Sequence, residues 1–200
     1  EPVTTSILRD QLLASACAYG DPDAREFAKE RFRVLREGGE IHSDITKAVI
    51  QASAPLEQRR ALDWMTERFR ASESEHERMN VIAGLSSFEQ PELIEEALKF
   101  TLKEVPSRNK YLPIASMGLN PHAEPILWDW FLNNLKELEK MHPLHFERVI
   151  TGVTPVAGIE KAPEVKGFLT EYMKKNERIA DAIKLALEKL EINSLLRRRS

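Results

Sequence analysis

Apolar residues recur every three or four positions through almost the whole chain, and no stretch alternates with period two for long enough to predict a strand. The first helix follows Thr4-Thr5-Ser6, carries Ile7, Leu8, Leu12, Ala16 and Tyr19, and stops at Gly20. Asp21-Pro22 supplies an N-cap and a first-turn proline for a second helix with Phe27, Phe32 and Leu35, ended by Gly38-Gly39. A third helix starts at Ser43 or Asp44, runs through Ile45, Ala48, Val49 and Ala52, and closes at Pro55. A fourth spans Leu56 to Phe69, and the Ser74/Glu77 capping-box spacing opens a fifth with Met79, Ile82, Ala83 and Leu85. Pro91 opens a sixth, and Pro106 and Pro113 bracket a shorter turn with Tyr111, Ile114 and Met117.

The stretch from Asn120 to Met141 reads as one long helix entered through Asn120-Pro121. Ile126, Leu127, Trp130, Phe131, Leu135, Leu138 and Met141 sweep about half of its circumference, and Trp128 and Leu132 widen the arc. A stripe so wide needs two neighbours. Asn134 falls within the arc, and a buried amide needs partners, so Asn134 is expected to tie this helix to a neighbouring turn. Pro143 starts a segment with Leu144, Val149 and Ile150 that the Gly/Pro-rich run from Thr151 to Gly158 ends. Pro163 begins a helix with Val165, Phe168, Leu169, Tyr172 and Met173. The last runs from Ile179 to Leu196, with Ile179, Ile183, Ala186, Leu187 and Leu190 on one face and Leu185, Ile192 and Leu196 on a second.

About ten helices joined by short connections, several with two apolar faces, predict an all-α fold. The expected form is an irregular α-solenoid of antiparallel helix pairs, a HEAT/armadillo-like superhelix, in one domain over residues 1–200. A compact bundle is the alternative. With 42% hydrophobic residues the chain supplies a proper core, and a formal net charge of −3 speaks against nucleic acid as a partner. One cysteine, Cys17, excludes an internal disulfide framework and fits a reducing compartment such as the cytoplasm. No apolar run approaches the roughly 20 residues of a membrane span, and no signal peptide begins at Glu1. The absence of an initiator Met suggests a processed protein or a fragment.

Candidate chemistry is sparse. His76-Glu77-Arg78-Met79-Asn80 approaches the zinc motif H-E-x-x-H but has Asn80 where the second imidazole belongs. His142, His145 and Glu147 cluster at a helix start without an evident third ligand, which predicts a solvent-facing histidine pair. Cys17 has no base or cation beside it in sequence and reads as a small core residue. Arg197-Arg198-Arg199 reads as a complement to a helix C-terminus or a frayed tail. No catalytic residue and no metal ligand is expected. An enzyme with an unrecognised site is disfavoured because the usual groups are not assembled.

Several of these segments together resemble the C-terminal helical domain of the zinc aminopeptidases, which include tricorn-interacting factors, puromycin-sensitive aminopeptidase, aminopeptidase N and the endoplasmic-reticulum aminopeptidases. Ile7-Leu8-Arg9 with Leu12-Leu13 is similar to the family's L-R-x-x-L-L helix opening, Asp44-Ile45 with Ala48-Val49 to D-[VL]-x-x-x-V, and Ser74-Glu75 through Leu85 to S-x-x-E…A-L. The most specific likeness is Asn120-Pro121…Leu127-Trp128-Asp129-Trp130-Phe131…Asn134, beside N-P-x-G…A-W-D-F-[VL]…N-W. Glu164 to Leu169 resembles E-V-x-x-F-F, and Glu188 with Asn193 resembles E-x-I-x-x-N-I-x-W. Leu135 and Leu196 stand where the family carries tryptophans, and Ser86 and Leu119 where antigen-trimming members carry carboxylate-holding arginines.

The resemblance implies a noncatalytic domain that covers the catalytic cleft and encloses the peptide. Zinc and the catalytic motifs would belong to an upstream domain absent from this chain. The implied partners are that catalytic domain and peptide substrates, with self-association of the isolated chain expected through an uncovered first helix. A stand-alone helical-repeat interaction module is the other reading.

Overall fold

In the computed structural model, residues 3–198 are described; Glu1, Pro2, Arg199 and Ser200, and the side chains of Val3, Thr4, Ser6 and Ile7, are not. The expected packing of Ile7 and the third arginine, Arg199, therefore lie outside the described residues. Among these residues the chain forms twelve α-helices, two short 3-10 turns and no strand, rather than about ten helices. It divides into two compact units, Glu1–Phe100 and Thr101–Ser200.

The first unit holds α1 (Val3–Ala18), α2 (Pro22–Arg36), α3 (Ser43–Glu57), α4 (Arg59–Ala71), α5 (Glu75–Gly84) and most of α6 (Pro91–Glu104). Asp21 caps α2 as its spacing predicts, its carboxylate accepting the Ala24 N–H at 2.8 Å. Gly20 and Gly38 take the left-handed turns, φ +87° and +83°, that release the chain from α1 and α2. At the centre lies α3, which touches α1, α2, α4 and α5. Its Ala48, Val49, Ile50, Ala52, Ser53 and Ala54 are all buried, a wider surface than the single face its periodicity shows. The one hydroxyl among them, Ser53, donates back to the Ile50 carbonyl at 2.7 Å.

Pro55 does not close α3. The helix continues to Glu57, and the break comes at Gln58, with φ 50° and ψ −122°, so that α4 begins at Arg59 instead of Leu56. Gln58 still donates its N–H to Ala54, and its own carbonyl accepts from Ala61 and Leu62, so one residue ends α3 and starts α4. Such a backbone costs a residue with a Cβ about 1–3 kcal/mol. Gln58→Gly removes that strain but loses the side-chain bond from Nε2 to the Pro55 carbonyl and adds unfolded-state freedom. A net gain of about 1 kcal/mol in urea unfolding is expected; a loss would mean the side chain, not the backbone, sets this turn.

The second unit is organised around α10 (Pro143–Ala157), which touches α7 (Tyr111–Met117), α8 (Glu124–Asn133) and α12 (Ala180–Arg197); α11 (Ala162–Lys175) packs on α12. Two expectations fail here. Pro113 sits inside the first turn of α7 instead of closing a turn. The run from Thr151 to Ala157 continues α10 instead of ending it. The reason is tertiary: a Cβ on Gly152 would stand 2.8 Å from Ala115 Cα, and one on Gly118 would stand 2.0 Å from the Gly152 carbonyl oxygen. Gly152 is thus a point of close helix approach, not a breaker. The carbonyl of Pro155, in the last turn, is taken by Asn193 Nδ2 of α12 at 2.8 Å.

The predicted long helix over Asn120 to Met141 is also divided. A 3-10 turn at Pro121–Ala123 leads into α8, and α9 is a separate turn at Leu135–Leu138. Asn134 makes the division: its Nδ2 donates to the Trp130 carbonyl at 2.8 Å, and its backbone stands at φ −110° and ψ 8°. The amide finds its partner in its own helix, not in a neighbouring turn, by competing with the backbone ladder. Trp128 is buried, stacking on Phe131 with ring centroids 5.4 Å apart and meeting the edge of Phe168 of α11 at 5.9 Å. Phe146 of α10 extends the cluster. Trp130, which the sequence places in the same apolar arc, is only half-buried.

Candidate functional site

The near-zinc motif folds as a helix start. Ser74 accepts the Glu77 N–H at 3.4 Å, the first half of the capping box. The other half differs: the Glu77 carboxylate takes the Ser72 hydroxyl and Arg68 Nε, tying the end of α4 to the start of α5. His76 Nε2 faces Asn80 Nδ2 at 3.3 Å one turn away. The geometry that would set two imidazoles on a metal therefore sets an imidazole against an amide. Among the described residues no three His, Cys, Asp or Glu side chains gather where they could hold a metal.

Cys17 lies in a small apolar cluster with Ala28 and Ala52, flanked by Leu13, Ala24 and Leu56. Its thiol donates to the Ala24 carbonyl at 3.4 Å. Burial pushes its pKa up, more than the nearby Arg25 draws it down, so it stays protonated. It is the core residue its surroundings predict.

His142 and His145 are not the solvent-facing pair the spacing suggests. His142 is exposed, but the His145 ring stacks on Tyr111 of α7, centroids 4.3 Å apart. Arg148, one turn further along α10, donates to the Tyr111 hydroxyl at 2.8 Å and places its guanidinium 5.1 Å above the same ring. Desolvation, then the His142 and Arg148 charges, lowers the His145 pKa, so the neutral ring is favoured. Tyr111, His145 and Arg148 form a cluster of polar aromatic and basic groups between α7 and α10. No local pattern reveals it, because Tyr111 and Arg148 are 37 residues apart; only the His145/Arg148 spacing of three is visible. Its chemistry is cationic and hydrogen-bonding, without a nucleophile or a carboxylate base.

Ser86 and Leu119, where the resembling sequences carry arginines, differ in their surroundings. Ser86 is buried and gives its hydroxyl to the Ala83 carbonyl at 3.1 Å, whereas Leu119 is 82% exposed. Neither offers a charge to a carboxylate. Arg197 is not a frayed tail residue: it pairs with Glu124 of α8 and lies 3.8 Å from Glu160. Among the described residues no helix is long and apolar enough to cross a membrane.

Comparison with known proteins finds the amino-acid sequence similar to parts of aminopeptidases. An Arabidopsis thaliana aminopeptidase is 22% identical over 198 residues, 94% of this chain and 22% of that protein. Aminopeptidase 2 of Candida albicans is 24% identical over 140 residues, 68% of this chain and 15% of that protein. Leucyl aminopeptidase of Saccharolobus solfataricus is 25% identical over 149 residues, 72% of this chain and 19% of that protein. The chain thus spans about a fifth of the length of these relatives. Residues 1–192 match the family model described as the ERAP1-like C-terminal domain, and the chain belongs to that family.

Proposed function

We propose that this chain is the noncatalytic C-terminal domain of a zinc aminopeptidase, a single helical domain whose paired helices form a solenoid over the catalytic cleft and enclose the peptide. The observation that carries this reading is the family match over residues 1–192 together with aminopeptidase relatives of which the chain fills only 15–22%. Zinc would be held by an upstream catalytic domain, since the nearest approach to a ligand motif in this chain, at His76, ends on Asn80. A helical cover excludes water from the cleft and holds the body of a peptide while its N-terminus reacts elsewhere. A concave array suits that task by offering many weak contacts to a variable chain. The reading places the protein in the cytoplasm, where a lone thiol such as Cys17 persists.

Two measurements test it. The native reading frame should encode H-E-x-x-H several hundred residues upstream of Glu1. Pure, tag-free 200-residue chain should hydrolyse no aminoacyl-arylamide with or without added zinc. Zinc-dependent turnover by the isolated chain would sink the noncatalytic role, and a frame limited to this chain would sink the aminopeptidase reading itself.

A further inference from the structure

Two contacts, among others, hold α7 against α10. One is the close approach of Gly118 to Gly152, and the other is the stack of Tyr111 on His145, seven residues earlier on each helix. Seven residues are about two turns, so the stack bears on the start of α7 and the glycines on its end. Only the stack contains a group that titrates near neutral pH. Its geometry suits a neutral ring. The imidazole lies 19° from the plane of Tyr111, with centroids 4.3 Å apart. Its Nδ1 is buried and meets no hydrogen-bond partner among the described residues. A neutral ring keeps its proton on Nε2 and leaves Nδ1 bare, whereas a charged ring must place an N–H there.

The charges that act on this ring are those of His142, whose own ring is 5.5 Å away, and of Arg148, both on α10 and both of cationic groups. From α7 only Tyr111 faces it, since the neighbouring Lys110 turns its amine to the Leu102 carbonyl at 2.5 Å. Among the described residues, α8 and α12, also packed on α10, bring it no carboxylate. The face of Tyr111 would attract an imidazolium, but Arg148 already sets a guanidinium over that ring. We infer that this stack is an acid-released latch: protonation of His145 loosens the start of α7 from α10 while the Gly118–Gly152 contact stays closed. The device goes beyond the aminopeptidase reading and does not depend on it. Because the folded-state pKa of His145 lies below the ordinary 6.5, its contribution is complete above pH 6.5. That contribution is lost as pH falls from 6.5 through the folded value.

The test is hydrogen–deuterium exchange of the full chain, read by mass spectrometry and corrected for the intrinsic pH dependence of exchange. From about pH 7.5 to about pH 5.5 the protection of the α7 amides should fall about three- to tenfold, the upper value being the ceiling that linkage sets one unit below an ordinary histidine pKa. In His145→Phe, which keeps an aromatic stack and cannot take a charge, α7 should be equally protected at both. Wild-type α7 with the same protection at the two pH values would overturn the inference. So would a His145→Phe variant that loses protection in acid as the wild type does. If that variant does not fold, NMR of the wild type decides: the ring signals of His145 and Tyr111 should shift together, with one midpoint below the ordinary value. Tyr111 signals that stay fixed while His145 titrates would overturn the latch.

Discussion

Trp128→Ala should cost about 3–5 kcal/mol. Trp128 is 1% exposed and joins α8 to α11 through Phe168 while stacking on Phe131 of its own helix, so its removal opens a void bordered by two aromatic rings. Against a total stability of about 5–15 kcal/mol, that is a large share. Thermal melts followed by circular dichroism should fall by about 10 °C for a chain of this size. Among the described residues the indole N–H finds no acceptor, a burden that Trp128→Phe lifts, so the phenylalanine variant should lose much less than the lost volume alone implies. Trp130→Ala, at a half-buried position, should cost a fraction of the Trp128 value. Equal losses at the two tryptophans would remove Trp128 from the centre of this unit.

Gly118→Ala should be nearly as damaging, at about 3 kcal/mol in urea unfolding, although it adds a single methyl group. Gly118 has an ordinary helical φ of −62°, so no conformational penalty is involved. The cost comes from position. The new Cβ would meet the Gly152 carbonyl oxygen at 2.0 Å and its carbon at 2.7 Å, backbone atoms that cannot rotate aside. Overpacking against movable side chains usually costs about 1–3 kcal/mol, and a clash with a helix backbone belongs at the top of that range. Gly167→Ala is the control: nothing lies within 4 Å of its added Cβ, so the same substitution on α11 should be neutral or stabilising. A Gly118→Ala variant as stable as wild type would show that α7 and α10 can separate without loss.

Helix starts were legible in the sequence wherever the signal is local. Asp21-Pro22, Ser74 with Glu77, Pro91, Pro143 and Pro163 each open a helix, because a cap or a first-turn proline acts within four residues. Helix ends were read less well for the same reason. Pro55, Pro113, Gly152 and Pro155 look like punctuation, yet all four lie inside helices, held there by packing that no short window contains. Asn134 shows the converse: an amide in an apolar arc reads as a tertiary tie, and it breaks its own helix instead. At His76 the difference from the zinc motif is local, since Asn80 stands where the second imidazole would be. The stacking of Tyr111, His145 and Arg148 could not be foreseen, because it depends on how α7 crosses α10.

That crossing also constrains motion. Where two backbones touch at Gly118 and Gly152, the helices can pivot about the contact but cannot slide along it. A slip of one turn would bring Arg148 or Val156 to the place of Gly152, and neither side chain fits against a carbonyl that already excludes a methyl. One-turn ratchets, a common way for packed helices to switch state, are therefore closed to this pair. The crossing behaves as a fulcrum, and any rearrangement of α10 against α7 is a rotation with its axis fixed at two glycines.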